Sequence, residues 1–182
     1  MPEHPRPYNR RSIRLPGYDY RMPGAYFITI CTYQRERLFE DTEYYDVAVQ
    51  QWTASAAMRA EVSLDSFVVM PNHIHGIVWI AARAQGLAPL QQTFVSNIAP
   101  RSLGAFVRGY KSAVTREVNA LRGTPDIPVW QRNYYEHIIR NDSELNRIRQ
   151  YIVDNPLRWA FDRDNVTGTP DREEIDFWES LA

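Results

Sequence analysis

Apolar and polar positions repeat with two different periods along the chain, and each change of period marks an element. Residues 25–33, AYFITICTY, are aromatic and β-branched and read as a buried strand. Residues 43–60, EYYDVAVQQWTASAAMRA, are rich in alanine and read as a helix, with Val47, Trp52, Ala56 and Met58 on its buried face. SLDSFVVM (63–70) is a second strand, and HIHGIVWI (73–80) a third. The Pro71-Asn72 punctuation between them suggests a hairpin. Residues 81–100 keep no period and read as a loop. Ser102 opens a helix in which Leu103, Phe106, Val107, Tyr110, Val114 and Val118 share one face. VWQRNYYEHIIR (129–140) reads as a fourth strand. Asn141 with Glu144 resembles a capping box, and Leu145, Ile148 and Ile152 line the helix it starts. Pro156 should end that helix or begin a new turn. The order β-α-β-β-α-β-α predicts an α+β, ferredoxin-like βαββαβ antiparallel sheet with helices on one face, plus one additional C-terminal helix. The other face, left open, would suit a nucleic acid.

Composition narrows the class. The chain has 182 residues, 44% of them apolar, which is enough for one domain with a real core. No run of about 18 apolar residues offers a membrane span. The basic N-terminus has no apolar stretch of a secretory signal. The single Cys31 excludes an internal disulfide and a cysteine-based zinc site, and fits a reducing cytoplasm.

The net charge of −1 hides an uneven distribution. Residues 1–22 hold five Arg against Glu3 and Asp19. Residues 101–140 hold six Arg and Lys111 against three acids, whereas residues 161–182 hold seven acids against Arg163 and Arg172. This divides the chain into a basic arm (1–23), a body (24–160) and an acidic tail (161–182). Two basic segments imply an anionic partner. Lys111 is the sole lysine. The arginine excess suits phosphate contact, but a GC-rich genome produces the same bias.

The third strand poses the chemical question, because VVMPNHIHGIV carries two histidines in an otherwise apolar run. Strand residues i and i+2 share a face, so His73 and His75 present two imidazoles side by side. Ile74, Gly76, Val78 and Ile80 then point to the core. Two neutral imidazoles form half of a divalent-cation site, and a third ligand has to come from elsewhere in the fold.

PNHIHGI resembles the His-hydrophobic-His signature of the HUH endonucleases. GAYFITICT, VVMPNHIHGIVWI, SLGAFVRGYKSAVTREVN, VWQRNYYEHIIRNDSEL and YIVDNPLRW together resemble one branch of it, the REP-associated tyrosine transposases, over residues 24–160. The resemblance makes 24–160 the catalytic domain and implies a nucleophilic tyrosine on the helix after the fourth strand. Tyr151 matches it, and Asn155, four residues on and so on the same helical face, is implied as the third metal ligand beside His73 and His75. Read without the family, Tyr151 is a core aromatic and Tyr134 and Tyr135 are its rivals.

The implied reaction is attack of the phenol on a phosphodiester of single-stranded DNA near a repetitive extragenic palindrome hairpin. It gives a 5′-phosphotyrosine and a free 3′-hydroxyl, aided by Mg²⁺ or Mn²⁺. Arg10, Arg11 and Arg14 of the arm and Arg101, Arg108 and Lys111 at the second helix are the candidate DNA contacts. The expected setting is the bacterial cytoplasm, at the nucleoid. Relatives include dimers that share active sites and monomers, so both states stay open. Two alternatives remain. One is a metal-dependent hydrolase that activates water with the His pair, and the other is a domesticated hairpin-binding protein.

Overall fold

A computed structural model describes residues 22–81 and 102–181. Four strands, β1 (Gly24–Cys31), β2 (Val62–Met70), β3 (His73–Ile80) and β4 (Tyr135–Ile139), form one sheet of order β2-β3-β1-β4. Every neighbouring pair is antiparallel. Helices α1 (Thr42–Ala57) and α2 (Leu103–Leu121) connect the strands, and α3 (Asp142–Asp154) and α4 (Arg172–Glu179) follow β4. The chain order is the expected β-α-β-β-α-β-α, with α4 added.

Each helix starts on a side-chain cap. Asp41, Ser102, Asn141 and Asp171 accept backbone N–H bonds from the first turns of α1 to α4. Glu144 departs from the capping box: its carboxylate takes the Arg140 N–H and contacts His137.

Strand parity sorts the side chains onto two faces. Tyr26, Ile28, Ile30, Ile74, Val78 and Ile80 pack under α1 and α2 with Trp52, Phe106 and Tyr110. Gly76 belongs to this face. A Cβ there would lie 2.4 Å from Trp52 Cζ2, so the indole rests on bare backbone. On the other face Phe27 and Ile77 pack against Ile148 and Ile152 of α3 and Phe177 and Trp178 of α4.

Three expectations need correction. The fourth strand is shorter than 129–140, because the Gln131 and Arg132 carbonyls bond to Lys111 Nζ and not to a neighbouring strand. Only an isolated bridge between Thr32 and Trp130 joins the start of that stretch to the end of β1. Met58 lies just past α1 and is 71% exposed. The sheet has helices on both faces and not on one, since α3 packs on the second face together with α4, which forms from the segment expected as a tail. Pro156 does begin a new turn, the 3-10 segment Asn155–Phe161. The loop expected at 81–100 lies almost wholly outside the described residues.

Candidate metal centre and tyrosine

The two histidines sit in the middle of the sheet because β3 pairs with β1 on one side and β2 on the other. Cys31 stands opposite His73 and Thr29 opposite His75. Both imidazoles are fully buried. Their Nε2 atoms lie 3.0 Å apart.

The opposite nitrogens are held by β1 and by the hairpin turn. Asn72 Oδ1 is 2.8 Å from His73 Nδ1. The Asn72 amide donates to the Asp164 carbonyl at 2.8 Å, which fixes its orientation and leaves Oδ1 as the acceptor. His73 therefore carries its proton on Nδ1 and turns a bare lone pair at Nε2 toward the centre. Thr29 Oγ1 lies 2.8 Å from His75 Nδ1. A hydroxyl can donate or accept, so Thr29 suits either tautomer of His75. Such partners fix ring orientation at metal sites.

Asp162 completes the group. Its Oδ2 lies 3.5 Å from His73 Nε2 and 3.9 Å from His75 Nε2, and the three side chains are the group among the described residues able to hold a cation. The Asp164 N–H bonds to Asp162 Oδ1 at 2.6 Å, which orients the carboxylate. Burial, and then the charge of His75, push His73 down to about 4, so it stays neutral near pH 7. Burial alone would raise Asp162, but the two facing imidazoles and the Asp164 N–H hold its carboxyl well below the usual range.

Tyr151 projects from α3 onto this group, its ring centroid 5.4 Å from that of His75. One turn on, Asn155 is buried with an Oδ1 that has no hydrogen-bond partner among the described residues. Asp162 Oδ2 likewise has none. An Asp162 oxygen without a donor, facing two imidazole nitrogens, is a donor set that a divalent ion fits.

Helix α4 covers the tyrosine. The Tyr151 hydroxyl donates to Glu174 Oε1 at 3.1 Å and accepts from Trp178 Nε1 at 3.2 Å, and its ring stacks on Phe177. Burial, then the nearby Asp162 and Glu174, raise the phenol far above its ordinary range. Burial and the charge of Asp162 push Glu174 up to about 7. Cavities flank α4 on two sides, about 600 Å³ beside Tyr151 and Asn155 and about 390 Å³ beside Trp178 and Arg35, and Glu174 lines both.

The remaining expected residues separate. Tyr110 is core, its hydroxyl donating to the Ala48 carbonyl. Tyr134 packs with the α1/α2 face, whereas Tyr135 packs against Phe27 and Trp178 on the histidine face. Arg108 is exposed on α2, and the Lys111 ammonium is tied to two carbonyls. Both lie on the helix layer opposite the histidines. Arg10, Arg11, Arg14 and Arg101 lie outside the described residues. Asp162, Glu174 and Trp178 are site residues that sequence spacing missed. Their only signal was an acidic, aromatic stretch that read as a charged tail. Asn72 had a clearer one, since it directly precedes His73.

An uncharacterised protein of Haemophilus influenzae is 37% identical over 169 residues, covering 86% of this chain and 93% of that protein. The chain belongs to one family with it. A second Haemophilus influenzae protein, assigned as a REP-associated tyrosine transposase, is 23% identical over 146 residues, 79% of this chain and 76% of that one. The solved structure of a REP-associated tyrosine transposase bound to a REP hairpin superposes with a TM-score of 0.54 and 21% identity, covering 87% of this chain and 74% of that one. The likeness to these transposases is thus present in sequence and in fold. No protein-family model matches the chain. No helix among the described residues is long and apolar enough to cross a membrane.

Proposed function

We propose that this protein is a metal-dependent single-strand DNA endonuclease and strand transferase. It acts beside REP hairpins, in the bacterial cytoplasm, with Tyr151 as nucleophile. The observation that carries the reading is one buried cluster: His73 and His75 Nε2 3.0 Å apart, Asp162 facing both, and the Tyr151 ring against His75. The hairpin-bound relative supports the choice of substrate.

His73, His75 and Asp162 would hold the ion, with Asn155 Oδ1 as a further oxygen donor. Two imidazoles with carboxylate and amide oxygens suit Mn²⁺ and admit Mg²⁺. When bound, the ion supplies Lewis-acid stabilisation of the charge that grows on the phosphate. Asn72 and Thr29 hold the two rings in place. Tyr151 Oη forms a bond to phosphorus as the bond to the 3′ oxygen breaks, and the phenolic proton ends on the freed 3′-hydroxyl. One ester replaces another, so an incoming 3′-hydroxyl can reverse the step and join a new strand. The catalytic unit we propose runs beyond residue 160 to take in Asp162 and α4. A strand can reach Tyr151 only if α4 gives up its hold on the hydroxyl.

The test is a denaturing gel of the protein with Mn²⁺ and labelled hairpin DNA carrying a single-stranded flank. A labelled band at protein mass in wild type, absent in Tyr151→Phe, is the expected result. Cleaved DNA with no linked band in either protein would make water the nucleophile and overturn the reading. Binding without any cleavage would favour a hairpin-binding protein.

A further inference from the structure

A sizeable cavity lies away from the histidines. A cleft of about 1030 Å³ runs between α2 and the segment 123–134 that leads to β4. It lies on the helix layer opposite the metal centre.

Its lining contains Arg108, Lys111, Arg116 and Arg132 and no Asp or Glu. Three of these cations, Arg108, Arg116 and Arg132, are exposed. Arg116 makes one loose ion pair, 3.5 Å to Glu117, and that carboxylate also accepts from Gln51 of α1. The floor is apolar and aromatic, with Val129, Trp130 and Tyr134. In a protein with a net charge of −1, an acid-free groove rimmed by arginines is a local excess of positive potential.

Hydrogen bonds brace the two sides of the groove against each other. The Asn119 amide donates to the Pro125 and Ile127 carbonyls at 2.9 and 3.0 Å. Lys111 Nζ donates to the Gln131 and Arg132 carbonyls at 2.6 and 3.1 Å. These bonds fasten the far wall to α2 and set the separation of the two arginine-bearing rims. Lys111 therefore builds the groove, and the arginines remain to meet a ligand.

The groove leads toward the chemistry. Gln131 lines it and also lines the 390 Å³ cavity beside α4, with Arg35, Arg163 and Trp178. The Gln131 N–H bonds to the Cys31 carbonyl, and Cys31 is the residue paired with His73.

We propose that this cleft is a docking groove for the phosphodiester backbone of nucleic acid, separate from the reacting centre, and that the strand leaving it past Gln131 is the one delivered to the histidines. The delivery step rests on the transposase reading, but the docking step does not. Arginines suit the role because their planar fork pairs with phosphate oxygens in two places at once.

The experiment is fluorescence anisotropy of the full chain with labelled DNA across a salt series. The probes are a DNA hairpin with a single-stranded flank and the flank alone. The protein carries Arg108→Glu and Arg132→Glu together, with Arg140→Glu as an exposed reversal outside the cleft. The slope of log affinity against log salt for the hairpin should become shallower by about 2 in the double variant, from two lost phosphate contacts. The Arg140 control should keep the wild-type slope. Hairpin binding that weakens far more than flank binding assigns the groove to the stem, and equal weakening assigns it to single strand. Unchanged affinity and slope in the double variant, or an equal loss in the control, overturns the groove. Mn²⁺ binding by paramagnetic resonance and circular dichroism check that the metal centre and fold persist. If the wild type cleaves nothing while the double variant loses hairpin binding, the transposase reading fails and the groove stands.

Discussion

The two faces of the sheet are each covered by two helices, yet they are built on different physics. Under α1 and α2 the contact is aromatic and aliphatic, with Trp52 stacked on Phe67 and edge-on to Phe106 and Tyr110. Its buried polar groups include the neutral Trp52 Nε1 and Ser55 Oγ and one carboxylate, Glu136, opposite Ile28 of β1. Under α3 and α4 the same sheet buries His73, His75, Asn155, Asp162 and Glu174. There an unpaired carboxylate oxygen sits among imidazoles and a phenol. Leaving a buried anion without full compensation is far more costly than leaving a neutral hydroxyl. One face carries a single buried acid in an apolar layer, and the other gathers two imidazoles, a carboxylate and a phenol into one cluster. The contrast locates function without reference to any relative.

The largest effect should come from Tyr151→Phe. It removes one oxygen, and the protein-linked DNA band should vanish on a denaturing gel while circular dichroism is unchanged. Asn72→Ala comes next. It releases His73 Nδ1, and Mn²⁺ affinity by paramagnetic resonance should fall about 10–100-fold, the usual loss when the partner of a ligating histidine is removed. The hydrophobic face should answer a different probe. Gly76→Ala drives a methyl into the Trp52 ring and should lower unfolding stability by about 1–3 kcal/mol in urea titration, with Mn²⁺ affinity unchanged. If Gly76→Ala abolished metal binding instead, the division of labour between the faces would be wrong.

The smallest effects concern α4. Glu174→Ala removes the acceptor of the Tyr151 hydroxyl and should speed cleavage several-fold. Slower cleavage would make Glu174 part of the chemistry and not of the cover. The pH dependence follows from Glu174 being raised from 4.5 to about 7. An acid raised on folding binds its proton more tightly in the native state. Its stabilising contribution is complete below about 4.5 and is lost as pH rises through about 7. Wild type should lose thermal stability over that window relative to Glu174→Gln, and a parallel pair of curves would refute the assignment.

Much of this was legible in the residues. Period-2 alternation placed β3 at His73–Ile80 and put the two histidines on one face, because side-chain direction in a strand is a local property. The caps at Ser102 and Asn141 were equally local. Spacing also predicted one helical face for Tyr151 and Asn155; Tyr151 sits against His75, and Asn155 is buried where α3 gives way to the 3-10 segment. What failed was whatever depended on a distant partner. The stretch 129–134 has strand composition, yet Lys111 takes its carbonyls. The acids of 161–182 read as an acidic tail, yet Asp162 is buried, and so is Glu174 on an amphipathic helix whose Phe177 and Trp178 needed a surface to cover.

The sequence by itself determined the first three strands, the first three helices and the imidazole pair, since each follows from periodicity and capping within a few residues. Only the tertiary structure decided the carboxylate beside the two histidines, the cover over the phenol and the cationic groove on the far side. Those depend on which faces meet once the sheet has closed, and no spacing along the chain encodes that meeting.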